Sequence, residues 1–185
     1  HETHKTGTSQ LLTLLGIPIA LAMLVLPTVA VADAVQWTEA EGGNGHWYEV
    51  VEPGPGIAWT QVAMLSEDMG GHLATLTSED ESNFIKLTLD PFRTRIGGYQ
   101  DPSAPDYSEP SGGWRWVTGE AWDFTNWDTN EPNDTNGGLE NFLEMDGGGG
   151  IPGGWNDLQD LYNGHDDFLV EWSADCNGDG IVDYG

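Results

Sequence analysis

Cysteine is nearly missing from this sequence: Cys176 is the single one among 185 residues. No disulfide can form within the chain, and its stability must come from packing, hydrogen bonds or bound ions. Basic residues are also scarce, with five Lys and Arg against 31 Asp and Glu and a formal charge of −26. That surplus repels phosphate backbones and anionic headgroups, which makes nucleic acid and membrane surfaces poor partners. A Ser-His-Asp arrangement, a phosphate-cradling glycine loop and a CxxC pair are lacking too, and with them the usual carriers of acyl transfer, nucleotide and thiol chemistry. Aromatic residues are plentiful, including nine Trp, enough to pack a core of ordinary size.

The one long apolar run, residues 11–32, carries no charge, follows Lys5 and precedes Asp33. This is the layout of a secretory signal with Ala30 and Ala32 at the cleavage site. A membrane anchor is the competing reading, opposed by Gly16, Pro18 and Pro27 within the run; export follows from either. The chain opens on His1 and not on Met, so it is expected to be a piece of a longer product. Residues 1–32 are set aside as an address, 33–45 read as a linker, 46–172 as one domain and 173–185 as a separate element.

Within the domain, His46–Val51 has the aromatic and β-branched content of a strand, closed by Pro53, Gly54, Pro55 and Gly56. Ala58, Val62, Leu65 and Met69 recur at helical spacing until Gly70-Gly71 stops them. After a strand-like His72–Leu76, Ser78 with Glu81 forms a capping box ahead of a second helix, which Pro91 ends. Residues 95–99 read as a buried strand and 168–172 as a final strand. Between them, from about residue 100 to Leu161, the chain is rich in Gly, Asn, Asp, Pro and Trp and is expected to be a long loop. A compact domain keeps such a loop only when something other than backbone ladders holds it.

Three groups of oxygen donors sit in this loop: Glu131-Pro132-Asn133-Asp134, Glu140-Asn141 and Trp155-Asn156-Asp157. Mixed Asp, Glu and Asn suit calcium, a hard cation that takes six to eight oxygens. Zinc, which wants Cys and His, is disfavoured with His46, His72 and His165 scattered. Composition alone favours solvated turn residues for these acids. Two further acids, Glu144 and Asp146, leave a glycosidase reading open, but acids committed to a metal stay ionised and make poor proton donors. An enzyme is not expected.

The order of the pieces decides the reading. Gly70-Gly71-His72-Leu73-Ala74, Ile96-Gly97-Gly98, Trp114–Glu120, Asn126-Trp127, Glu131-Pro132-Asn133, Glu140-Asn141, Trp155-Asn156-Asp157 and a closing strand ending in Glu171 resemble, in register, the C-type lectin-like domain family over most of residues 46–172. The resemblance implies an α+β fold, two helices flanking two small antiparallel sheets, with a long loop pinned by Ca2+. It places Glu131, Asn133, Glu140, Asn156 and Asp157 at a principal calcium that also binds carbohydrate, with Glu-Pro-Asn going with mannose-, glucose- or fucose-type diols. It makes Glu131–Pro132 a candidate cis bond. For an auxiliary calcium it offers Asp134, Asn141, where the family often has Asp, and Glu109, in an insertion that also holds Asp101 and Asp106.

This chain departs from the family in lacking its four half-cystines; Ser66, Phe142, Asp160 and Val170 stand in their places. Trp122 is the tryptophan freest to stack on a sugar face. The alternative to sugar binding is a calcium-stabilised structural or protein-adhesion module. Beyond the domain, Asp175, Asn177, Asp179, Ile181 and Asp183 match the first nine positions of an EF-hand-like loop, with Gly180 at the sharp turn. This segment resembles the start of a dockerin-type repeat, which implies a cohesin-like or surface protein as partner. Its twelfth ligand position lies past Gly185, so the loop as it stands is expected to hold calcium weakly.

Overall fold

The computed structural model describes residues 34–135, 137–145, 150–161 and 167–173. The apolar run 11–32, Asp146 and the Asp175–Asp183 segment lie outside them. In chain order the elements are β1 (Val35–Gln36), a short 3-10 turn (Glu39–Glu41), β2 (Trp47–Val51), α1 (Trp59–Asp68), β3 (His72–Leu73) and α2 (Glu79–Thr88). They continue as β4 (Thr94–Gln100), β5 (Trp114–Trp116), β6 (Phe142–Met145), β7 (Trp155–Leu158) and β8 (Phe168–Trp172). The architecture is α+β, as expected. Among the described residues no helix is long and apolar enough to cross a membrane.

The helices begin where the sequence supplies or borrows a cap. Ala58, ahead of α1, has no oxygen to offer, and Asp160 supplies one from the far end of the domain: its carboxylate accepts from Thr60 N (2.8 Å) and Oγ1 (3.1 Å). The same residue's carbonyl accepts from Trp59 N at 2.8 Å. A carboxylate here satisfies first-turn N–H groups and faces the positive end of the helix dipole. At α2, Ser78 Oγ accepts from Glu81 N (3.2 Å) as the capping motif requires. The Glu81 carboxylate, however, turns to Thr77 N (2.7 Å) and Tyr48 Oη (2.6 Å), because the buried tyrosine hydroxyl needs an acceptor.

β8 is the hub of the sheet. Buried throughout, it pairs antiparallel with β2 over five residues and with β3 over two, and parallel with β4 at Arg95↔Phe168. β1 extends β2, while β4 carries β5 and β6, and β6 carries β7, all antiparallel. The two expected antiparallel groups are thus one continuous sheet joined at the β4–β8 pairing. Close packing of β4 against β3 and against the Leu143 side chain of β6 depends on Gly97 and Gly98. A Cβ on Gly97 would lie 2.5 Å from Leu73 O, and one on Gly98 2.2 Å from a Leu143 methyl.

Two differences from the sequence reading stand out. Residues read as a linker hold β1, whose Val35 and Gln36 pair with Tyr48 and Trp47. The stretch read as one long loop holds β5, β6 and β7, runs of three or four residues too short to show alternation among so many glycines.

One buried cluster gathers Tyr48, Ile85, Ile96, Trp114, Trp116, Leu143 and Trp155 with their neighbours; a second gathers Trp59, Val62, Leu73, Phe168, Val170 and Trp172. Each large apolar side chain so buried contributes about 1.5–3 kcal/mol before chain entropy is charged. The residues at the positions where the resemblance implies half-cystines have other work here. Ser66 Oγ donates to Ala63 O (2.8 Å), Phe142 packs 4.6 Å from the Trp59 ring, Asp160 caps α1, and Val170 fills the second cluster.

Candidate functional site

β7 runs beside β6, with Leu143↔Asp157 in register, and carries Asp157 to the base of the loop that follows Trp127. Asp157 is buried, and its carboxylate fastens that loop: Oδ1 accepts from Asn133 N (3.0 Å) and Oδ2 from Asp134 N (2.9 Å). Asn133 Nδ2 donates to Glu131 Oε1 at 2.7 Å. Thr135 donates through N (2.7 Å) and Oγ1 (2.9 Å) to Glu140 Oε2. The Glu131–Pro132 bond is cis. Four of the five residues expected at the principal site, Glu131, Asn133, Glu140 and Asp157, therefore meet in one hydrogen-bonded cluster. Burial, then the adjoining Asp157 and Glu140 carboxylates, push the Glu131 carboxyl up to about 7.

The fifth residue is turned aside. Side chains alternate along a strand, and Asn156 leaves β7 on the other face from Asp157, where its Nδ2 donates to Glu144 Oε1 at 3.0 Å. Among the described residues no group of three or more His, Cys, Asp or Glu forms a ready metal cage. Two of the five expected donors are amides, and both oxygens of Asp157 and Oε2 of Glu140 accept from N–H and O–H donors of residues 133–135.

The chemistry of the donor set nonetheless suits calcium. Three carboxylates crowd together, and Glu131 Oε2 is buried with no hydrogen-bond donor. A carboxylate oxygen in that position is costly to bury unless a proton shared with Asp157 or a cation meets it. Hard cations take such oxygens together with amide carbonyls.

Around this cluster lie the residues expected at an auxiliary site. The Asp134 carboxylate accepts from Gly138 N and from Leu139 N (3.2 Å). Asn141 Nδ2 donates to Gly138 O (3.3 Å), and its Oδ1 is buried without a partner. Glu109, which accepts from the Tyr107 hydroxyl, stands beside Gly138, its Oε1 4.0 Å from where a Cβ there would lie. Asp106 is taken by Arg115, and Asp101 by Ser103.

Trp122 is partly buried and packed against other indoles. Its ring packs 5.9 Å from Trp114, 4.7 Å from Trp116 and 5.7 Å from Trp155, because Trp114, Trp116 and Trp155 leave a gap that its ring fills.

The sequence reading missed two features. Glu144, considered only as a glycosidase acid, is buried and bonded to Asn156, a relation that appears only once Glu144↔Asn156 are known to be register partners. A second buried network joins Glu171 to His46 Nδ1 (2.5 Å), Thr75 N (2.8 Å) and Thr75 Oγ1 (3.2 Å), with Glu120 on the same Thr75 hydroxyl at 2.6 Å. No local sequence signal marks it, because His46, Thr75, Glu120 and Glu171 come from distant parts of the chain.

The fold of two helices and the β8-centred sheet is similar to that of the C-type carbohydrate-recognition domain of cow CD23, solved in the presence of a GlcNAc2Man3 oligosaccharide. The TM-score is 0.57 and the identity 26%, over 71% of this chain and 90% of that one. The chain has the C-type lectin-like fold. This lectin-like domain is also 30% identical over 100 residues to mouse asialoglycoprotein receptor 1, a match covering 53% of this chain and 30% of the receptor. It thus spans about a third of the length of that curated relative. A calcium-independent type II antifreeze protein shares the fold, with a TM-score of 0.54 and 22% identity over 77% of this chain and 95% of that one. No protein-family model matches.

Proposed function

We propose that this domain is an extracellular, calcium-dependent carbohydrate-binding module. The observation that carries the reading is the meeting of Glu131, Asn133, Glu140 and Asp157 in one cluster, with a buried Glu131 oxygen that has no donor. Glu131, Asn133, Glu140 and Asp157 would hold the ion, with Asn156 completing the set. Bound calcium supplies coordination positions for two vicinal hydroxyls of a sugar. Glu131 accepts from those hydroxyls and Asn133 donates to them, so that protein and ion read one diol together. Asp157 keeps the 133–134 backbone against β7 and so holds Asn133 in place. Glu-Pro-Asn favours mannose-, glucose- or fucose-type diols, and the oligosaccharide named with the cow domain supports a glycan ligand. Asp134, Asn141 and Glu109 are the residues for a second calcium.

The test is titration of the full chain with calcium and then with mannose. Binding that needs calcium and vanishes with a chelator supports the reading; absence of a mannose signal in saturating calcium defeats it. A second reading, a calcium-stabilised adhesion module, is favoured by the turned-aside Asn156, which leaves one donor fewer for an ion that must also hold a sugar. It is the one left standing if calcium binds and no sugar does.

A further inference from the structure

We infer that Thr135 is a positioning residue of this site: it gathers an oxygen of Asn133 and an oxygen of Glu140 at one point and holds the Glu140 carboxylate in one orientation. The inference rests on the calcium reading above and adds a residue to it. A glutamate carboxylate turns easily about its last torsion, which has no sharp minima. An asparagine carboxamide can present its NH2 where an oxygen is wanted. Calcium needs several oxygens within about 2.3–2.6 Å of one centre, so both freedoms must be removed.

Thr135 removes them. Its backbone N donates to Asn133 Oδ1 at 2.9 Å and to Glu140 Oε2 at 2.7 Å, so two expected donor oxygens converge on a single hydrogen. That N–H also settles the Asn133 carboxamide, because an N–H accepts nothing and can face only the oxygen; the NH2 end is held by Glu131 Oε1 at 2.7 Å. The Thr135 hydroxyl adds a second bond to the same Glu140 oxygen at 2.9 Å, and two donors on one side of a carboxylate fix its plane. Asp134 makes the arrangement possible. Its φ of 44° is left-handed, a conformation that aspartate tolerates better than most residues, and the next N–H is thereby turned back onto Asn133. A carboxylate has about four lone-pair sites and a carboxamide oxygen two, so the bonds from Thr135 and an ion can share these groups. Hydrogen-bonded partners behind ligating carboxylates commonly govern metal affinity. Glu140 is buried while Thr135 is exposed, so the hydroxyl can be removed without opening a cavity in the core.

Calcium alone is the probe, titrated calorimetrically into the full chain as wild type, Thr135→Val, Thr135→Ser, Glu140→Ala and the Thr135→Val/Glu140→Ala pair. Thr135→Val keeps the shape and loses the hydroxyl; it is expected to weaken calcium binding roughly tenfold, the low end for such a partner because the N–H remains. Thr135→Ser keeps the hydroxyl and is expected to stay within about threefold of wild type. In the Glu140→Ala background, adding Thr135→Val is expected to cost nothing further, since no carboxylate remains to be held. An equal further loss in that background assigns Thr135 to the general framework of the loop and overturns the inference. Wild-type affinity in Thr135→Val overturns it too, as does tighter binding, which would make the hydroxyl a competitor of the ion. Should Glu140→Ala take up no calcium, Thr135→Ser decides: a loss equal to that of Thr135→Val overturns the inference, and retained affinity beside that loss upholds it. A wild type that takes up no calcium sinks the calcium reading itself, an outcome separate from the others.

Discussion

Replacing Asp157 by alanine separates what the loop owes to hydrogen bonds from what it owes to calcium. The carboxylate receives Asn133 N and Asp134 N at 3.0 and 2.9 Å. Hydrogen bonds to a charged acceptor contribute about 1.5–3 kcal/mol each. Part of that is returned when two crowded carboxylates, Asp157 and Glu131, become one. In chelator, Asp157→Ala is therefore expected to lose about 2–4 kcal/mol. In calcium the wild type gains a further term that the variant cannot: at one hundred times the dissociation constant, a ligand binding only the folded form stabilises it by about 2.7 kcal/mol. For a unit of about 140 residues, at roughly 2 cal/mol/K of unfolding entropy per residue, that corresponds to about 9 °C in Tm. The assay is thermal or urea unfolding of both proteins, each in calcium and in chelator. The gap between wild type and variant is expected to be wider in calcium by about that amount. Equal gaps in the two media would refute a calcium held at Asp157; a wild type indifferent to chelation would refute a loop pinned by metal.

Two further outcomes follow from the same geometry. His46, raised chiefly by its hydrogen bond to Glu171, and Glu81 and Glu144, raised chiefly by burial, all bind protons more tightly folded than unfolded. The stability they contribute is complete below the ordinary values of 4.5 for the acids and 6.5 for histidine and is lost as pH climbs through their raised folded values. In chelator the urea midpoint is accordingly expected to fall from about pH 5 to about pH 8; a rise over that interval would contradict the buried-acid account. Changing Glu131→Gln together with Asn133→Asp is expected to shift preference from mannose toward galactose by roughly tenfold in competition binding, about 1.4 kcal/mol. An unchanged preference would move recognition away from these two residues.

How much could be read from the chain alone followed from how local each signal was. β8, with five consecutive buried residues, and α2, opened by Ser78, declare themselves within a short window. α1 was legible from its apolar spacing but not from its cap, because Asp160 comes from the other end of the domain. β5 to β7 were hidden because pairing, not propensity, makes them strands: Trp114–Trp116 is a strand by virtue of Gly98, Tyr99 and Gln100 opposite it. At the site, the motif order brought Glu131, Asn133, Glu140 and Asp157 to one place on paper. The orientation of Asn156 needed the β6–β7 register, and the fate of Trp122 needed the three indoles it fills in against. Composition counts donors; only geometry says which are already spoken for.

The position of β8 also dictates the order in which this protein can come into being. Three strands made earlier share it as their common neighbour, and His46 waits for a carboxylate 125 residues further on. A nascent chain emerging from the ribosome holds β2, β3 and β4 with open edges until residues 168–172 appear. Long-range pairing of this kind slows closure and leaves sticky margins exposed in the meantime. The edges of β2, β3 and β4 that face β8 are therefore expected to be where aggregation of the incomplete domain begins.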